Sequence, residues 1–486
     1  MKDIFYTGKY DKDKSGYDAS WREPYWQRLR EEAGGDEEAD RIVEALKLMY
    51  TMYTDDLVKW YANLYDPGMG AYYCTTSGKE NEGFLPDIES TYQALHFLIF
   101  SGMLDEQGGA YTKVMSDEMK ERLVRFIKGM QLPNGYFYNY LKTQERLDHP
   151  TGVPKRGRDL GWCTDLLRKL GTSPTYDTPN GMLGDGIDKN GNPVSNYRRL
   201  EVSGGEEKKP TGAALNYPAY LENRETMIAY LNENVPIVEH TYPAGNHLNA
   251  TYPEYMARDK AMGWLGTDKS LTAGLIEWLN EKINPKTGYW TGEVNFNGTN
   301  GFFKVIVIYN SWGIPYPAIE KAIDSVLEVI LGDEPSTGNI CAVYNIWSAL
   351  ISAKNNVINC YPASEREALL AKINKTMKER GPEAILNTYK KQSGYQKPDG
   401  AFAHEVTRGN RPEEIIHHQG GIPTGLRIEE GDVDAIGKAT NGIVLNIFNA
   451  YGFTPVPIYH DREWQLYKSI IENAKPVVKK NTAVYR

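Results

Sequence analysis

Cysteine is scarce in this chain: Cys74, Cys163, Cys341 and Cys360 are the four in 486 residues, and none stands in a CxxC or paired spacing. That excludes a disulfide framework and thiolate zinc frames of the usual spacing, and it fits a reducing compartment. Long apolar runs are missing too. No stretch reaches the roughly 18 residues of a bilayer span, so no membrane partner is expected. An excess of basic residues is also lacking. Lys and Arg number 55 against 64 Asp and Glu, for a net charge of −9 with the two signs interspersed, so no nucleic-acid partner is expected. The opening MKDIFYTGKYDKDKSGYD has no apolar core of the kind a secretory leader carries, and the expected location is cytoplasmic. No HxxxH frame accompanies the histidines, so the expectation is no metal and no cofactor.

What is abundant is aromatic: 34 tyrosines and ten tryptophans. Such rings fill helix interfaces with their polar ends in water, and they also form faces on which sugar rings stack or carbocations are sheltered. Composition does not choose between these uses.

A repeated grammar organises the rest. Leu57–Gly102 reads as two helix-periodic segments, Leu57–Leu64 and Ile88–Phe100, separated by the stop Asp66-Pro67-Gly68 and a polar loop. The same order returns from Arg122 to the segment Asp159–Gly171, and from Arg224–Asn234 to Tyr252–Gly266 across a loop containing Tyr242-Pro243-Ala244-Gly245. It returns again from Leu271–Trp290 to Gly301–Gly313, from Ala318–Leu331 to Ile340–Ala353, and from Glu383–Gln392 to Asp432–Gly452. One amphipathic hairpin cannot bury its apolar face alone, so six must stack, and a stack that closes leaves no exposed end. The expected fold is therefore all-α, an (α/α)6 toroid in a single domain over 1–486. Residues 1–35 would wrap the outside, 139–217 would form an irregular insertion near the mouth, and 461–476 would form a closing helix.

The run Gly70–Gly102 and the turns Gln131-Leu132-Pro133-Asn134-Gly135-Tyr136-Phe137 and Pro398-Asp399-Gly400-Ala401-Phe402 resemble the Gln/Gly/aromatic repeats of the terpenoid cyclase and protein prenyltransferase toroid superfamily. The resemblance lies at the level of architecture and implies the six-hairpin fold. Its chemistry transfers poorly. The Asp-x-Asp-Asp acid of the class II cyclases is cut short here, because Asp432-Val433-Asp434 is followed by Ala435, and Asp55-Asp56 is followed by Leu57-Val58-Lys59 where a class I motif needs a further acid. No Asp, Cys and His set of the prenyltransferase zinc site is identifiable.

In a closed ring the starts of the inner helices converge on one mouth. Two of them are acidic: Pro86-Asp87-Ile88-Glu89-Ser90-Thr91, and Glu429-Glu430-Gly431-Asp432-Val433-Asp434, which holds four carboxylates in six residues. Acid residues at helix starts are ordinary capping chemistry. If the ring closes, however, the first and last hairpins are neighbours. Helices packed roughly 8–10 Å apart could then set Asp87 or Glu89 against Asp432 or Asp434 at the roughly 6.5–9.5 Å used by an inverting glycosidase.

The expected function is therefore that of a carbohydrate-active enzyme, a glycoside hydrolase with paired carboxylates as general acid and base. His247, Asn249, Tyr252, Asn300, Asn345, Trp347, His404 and His417 are the expected contacts to a carbohydrate or other small-molecule substrate. Three alternatives stay open. A polysaccharide lyase acting on uronates would use Asn246, His247 and Tyr252. An isoprenoid cyclase would want an almost wholly apolar cavity, which the charged helix starts disfavour. A non-catalytic toroid would bind a glycan or a partner without turnover.

Overall fold

The computed structural model describes residues 16–139, 144–194, 216–333, 339–404, 416–417, 423–424, 430–437 and 442–479. Among the described residues it is mostly helical, with two short antiparallel strand pairs, Tyr65–Asp66 with Ala71–Tyr72 and Ile416–His417 with Pro423–Thr424. The helices of eight residues or more are α1 Glu23–Glu32, α2 Glu37–Tyr50, α3 Asp55–Asn63, α4 Ile88–Phe100, α5 Asp117–Lys128, α6 Val153–Lys169, α7 Arg224–Asn234 and α8 Thr241–Met262. They continue with α9 Leu271–Asn280, α10 Phe296–Trp312, α11 Ile319–Leu331, α12 Ile340–Cys360, α13 Ala363–Ser393, α14 Ile443–Tyr451 and α15 Asp461–Glu472. Among the described residues no helix is long and apolar enough to cross a membrane.

The helix starts follow from side chains that satisfy otherwise unpaired backbone N–H groups. Asp36 accepts from Ala39 N at 3.0 Å, Asn223 from Thr226 N at 2.9 Å, Asn295 from Gly298 N at 2.9 Å and Asn339 from Ala342 N at 3.2 Å. Asp259, inside α8, accepts from Leu271 N (2.8 Å) and Thr272 N (2.9 Å), so one buried carboxylate ties α8 to the first turn of α9.

The two Gln/Gly/aromatic turns are built alike. In the first, Gln131 Nε2 donates to Gly135 O (3.2 Å) and Leu132 N to Tyr136 O (3.0 Å); in the second, Gln396 Nε2 donates to Gly400 O (3.3 Å) and Lys397 N to Ala401 O (2.8 Å). Gly135 and Gly400 stand at φ of 84° and 83°, where a side chain would be strained.

Packing passes from α4 to α6, α6 to α8, α8 to α10, α10 to α12 and α12 to α14, and the short helix Val433–Gly437 just before α14 packs back on α4. Flanking these, α7 lies against α9, α9 against α8, and α11 against α10, α12 and α13, while α13 also meets α2. Close approach along the series is set by glycine. A Cβ on Gly157 would lie 2.9 Å from the Ala250 carbonyl carbon, and one on Gly245 would lie 3.0 Å from Gly301 O. Residues distant in sequence are stitched together: Tyr50 Oη donates to Val456 O (2.5 Å), Tyr459 Oη to Thr54 O (2.8 Å) and Tyr459 N to Ser101 O (2.8 Å). The expected closing helix is α15, and it packs on α3.

Three expectations need correction. Tyr242-Pro243-Ala244-Gly245 is the first turn of α8 and not a loop, because a proline there lacks an N–H that would find no partner in any case. The helix read at Asp159–Gly171, within the 139–217 stretch, starts earlier: it is the 17-residue α6, which opens six residues before Asp159 with Pro154 in its first turn. The helix read at Glu383–Gln392 is the end of the 31-residue α13, which runs through Pro382. Residues 1–15 of the expected wrap and 195–215 of the expected insertion lie outside the described residues.

Candidate functional site

Asp87 is fully buried and caps α4: its carboxylate accepts from Ser90 N at 2.9 Å and Ser90 Oγ at 2.5 Å. Asp432 does the same for Val433–Gly437, accepting from Ala435 N at 3.0 Å and from His404 N at 2.5 Å. The neighbouring Glu430 accepts from Ser77 N at 3.0 Å. These carboxylates thus hold helix starts and the turns leading to them. Asp434 lies in the same short helix, and its side chain is outside the described set.

Glu89 is placed differently. It stands two residues past the cap, buried, with its Oε2 3.4 Å from Lys155 Nζ on α6. Lys155 also donates to Asp159 one turn further on, so a single ammonium lies between two carboxylates from adjacent helices. Asp159 is fully buried and its Oδ2 has no hydrogen-bond partner. Burial pushes its carboxyl up to about 6, against the pull of Lys155. The same lysine lies 5.1 Å from the Trp162 ring, on which Tyr92 stacks at 5.6 Å.

Along α4, Glu89, Gln93, His96 and Phe100 follow at steps of four, three and four, which places them on one face. Gln93, His96 and Phe100 line a cavity of about 320 Å³ completed by Tyr344 of α12 and Leu445, Asn446 and Asn449 of α14. That volume falls at the lower end of the range of small-molecule sites. Burial and the neighbouring Lys169 hold the His96 imidazole down to about 4, so it is neutral at physiological pH.

The other expected contacts are distributed. Tyr252 lines a separate cavity of about 540 Å³ with Asn180, Lys260, Ser311 and Trp312, towards the far ends of α8 and α10. Asn249 donates to Lys304 O (3.1 Å), and Asn345 donates to Tyr242 Oη (3.4 Å). Asn300 donates back to Phe296 O within its own helix. The Oδ1 atoms of Asn300 and Asn345 are buried without partners. Trp347 is no ligand platform: it is fully buried and donates its indole N–H to Thr388 of α13 at 3.0 Å. His404 is buried with its Nδ1 3.7 Å from Cys341 Sγ. His417 lies in a two-residue strand, its side chain outside the described set.

His247, expected in a loop at the mouth, is inside α8 and faces the flanking helix α7, with Nε2 3.2 Å from Tyr230 Oη. It belongs to a second polar cluster. Arg156 lies with its Cζ 4.2 Å from the Tyr136 ring centroid and donates through Nη1 to Asp148 (2.6 Å). Tyr136 Oη donates to Glu254 Oε2 at 2.6 Å. Burial raises the Glu254 carboxyl from 4.5 to about 7, opposed by Arg156 and the Tyr136 hydroxyl. An acid whose folded value is raised gives a contribution to stability that is complete below its unfolded value and is lost as pH climbs through the folded one. Melting temperature should therefore fall as pH rises from 4.5 towards 8, and Glu254→Gln should flatten that slope. An unchanged slope in the variant would mean that Glu254 ionises normally.

No family model, curated protein or solved structure matches this chain. Function must be read from the geometry.

Lys155, Arg156, Asp159 and Glu254 do not stand out in the sequence. A signal existed for two of them: Pro154 marks a helix start, and from it Lys155 and Asp159 fall at i and i+4 on one face. Glu254 follows Pro253, which reads as a helix breaker but sits inside α8.

Proposed function

We infer that the chain is an (α/α)6 toroid and a carbohydrate-active enzyme, a glycoside hydrolase in which Asp159 is the general acid and Glu89 its carboxylate partner. The observation that carries this is the stripe on α4: Glu89, paired through Lys155 with Asp159, shares a helix face with the residues lining the 320 Å³ cavity. The order of helix contacts, returning from Val433–Gly437 to α4, supports the ring. A carboxyl raised to about 6 keeps a protonated fraction near neutrality, as a general acid requires. Tyr344 supplies that cavity with an aromatic wall of the kind a sugar ring stacks on, and Tyr92 and Trp162 stack on each other beside Lys155.

Incubation with a panel of plant, bacterial and host glycans tests this, following reducing ends and the ultraviolet absorbance of a C4–C5 double bond together. Reducing ends without absorbance are expected. Both signals rising together would replace the hydrolase by a lyase, for which His247, held neutral beside Tyr230 Oη, is the available base. Neither signal on any glycan would sink the carbohydrate-enzyme reading and leave a binder.

A further inference from the structure

The cluster around Arg156 holds more hydrogen-bonding capacity than its own members use. Arg156 spends Nη1 on Asp148, while its Nε and Nη2, the two donors along one edge of the guanidinium, are buried and have no partner. That edge is the fork that receives two oxygens of a planar anion side by side. Glu254 spends Oε2 on Tyr136, and its Oε1 is buried without a partner; so is the Tyr220 hydroxyl. These groups sense one another's charge, since Arg156 is influenced by Tyr136, Tyr220 and Glu254 together. The ion pair Arg156 makes is nevertheless with Asp148 and not with Glu254. Leaving a buried charged donor unpaired forfeits its hydration with nothing in return, and here two donors and an acceptor carry that cost in one place.

We propose that Arg156, Glu254 and Tyr220 form a binding site for a carboxylate-bearing small molecule, held by the Arg156 fork, with a hydroxyl of the same molecule donating to Glu254. A singly charged carboxylate fits better than a phosphate dianion, because Glu254 is itself an acid and repels a second negative charge more strongly as that charge grows. Tyr136, under the guanidinium, and Tyr220, stacked on Tyr230 at 4.2 Å, give the site flat apolar walls. Tyr138, a ring neighbour of Tyr136, and the stacked Tyr220 and Tyr230 are half-buried. The site lies on α6, α8 and the segments flanking them, apart from the α4 stripe, and does not depend on the hydrolase reading.

Calorimetric titration of the full chain at pH 8 tests it, with lactate, glucuronate, inorganic phosphate and glucose as probes. Saturable binding of lactate or glucuronate is expected, with phosphate weaker and glucose silent; the tighter of the two carboxylates tells a free organic acid from an acidic sugar. Arg156→Lys keeps the charge and loses the fork, and should weaken binding by about tenfold or more. Glu254→Gln removes the like charge and should strengthen it, a sign that a merely structural network would not produce and a measurement that stands even if the arginine variant folds poorly. Absence of saturable binding by both carboxylates, or binding that Glu254→Gln leaves unchanged or weakens, overturns the proposal.

Discussion

For the proposed hydrolase, Asp159→Asn should lower glycan turnover by roughly 10²–10⁴-fold, the range a positioned general acid supplies. The ion triad it belongs to also clips α4 to α6, so loss of activity alone would not separate chemistry from structure. Removing one member of a buried pair costs about 3–5 kcal/mol in many proteins. Two further measurements make the separation. If Asp159 and Glu89 act as one unit, the double variant Asp159→Asn with Glu89→Gln should be no slower than the worse single variant. Asp159→Glu should in addition recover part of the rate. A multiplicative double variant, or a single variant whose KM and kcat stay at their original values while the protein melts earlier, would reduce the triad to a clip.

The second large effect is on stability. At Gly301, in α10, a Cβ would overlap the Thr241 side chain and come within 2.7 Å of the Thr241 carbonyl, so α8 and α10 could not keep their approach. Gly301→Val should destabilise by about 3 kcal/mol, the upper part of the range for overpacked cores, with Gly301→Ala between it and the parent. At Gly161, in α6, an added methyl would meet nothing within 4 Å, and Gly161→Ala should gain about 0.5–1 kcal/mol from helix propensity. Thermal melts of the three variants decide the matter. Equal melting temperatures for Gly301→Val and the parent would mean that these helices are not in close contact.

Much of the helical scaffold was legible because its signals are local. Ile88–Phe100 carries its own cap, its own period and its own terminating serine and glycine, and the helix there has those bounds. The polar clusters were less legible, for two physical reasons. Prolines at 243 and 253 suggest interruption, yet both fall inside α8, one in its first turn and one where the long helix tolerates it. The acids that stand out in the sequence, Asp87 and Asp432, stand out because helix starts want acids, and that is the work the structure gives them. Asp159 and Glu254 look unremarkable in sequence, and their special character comes from burial, which arises only when α4, α6 and α8 are brought together.

The bonds from Tyr50 to Val456 and from Tyr459 to Thr54 and Ser101 have a consequence for how the protein is made. A ribosome delivers the two sides of that seam some 406 residues apart. Until the later side emerges, α2, α3 and α4 have an apolar flank with no native partner, for a time set by translation and not by folding. Closing so long a loop is entropically slow, and the nascent chain waits in an aggregation-prone form that a chaperone would shelter. The seam that completes the molecule is thus also its period of greatest exposure during biosynthesis.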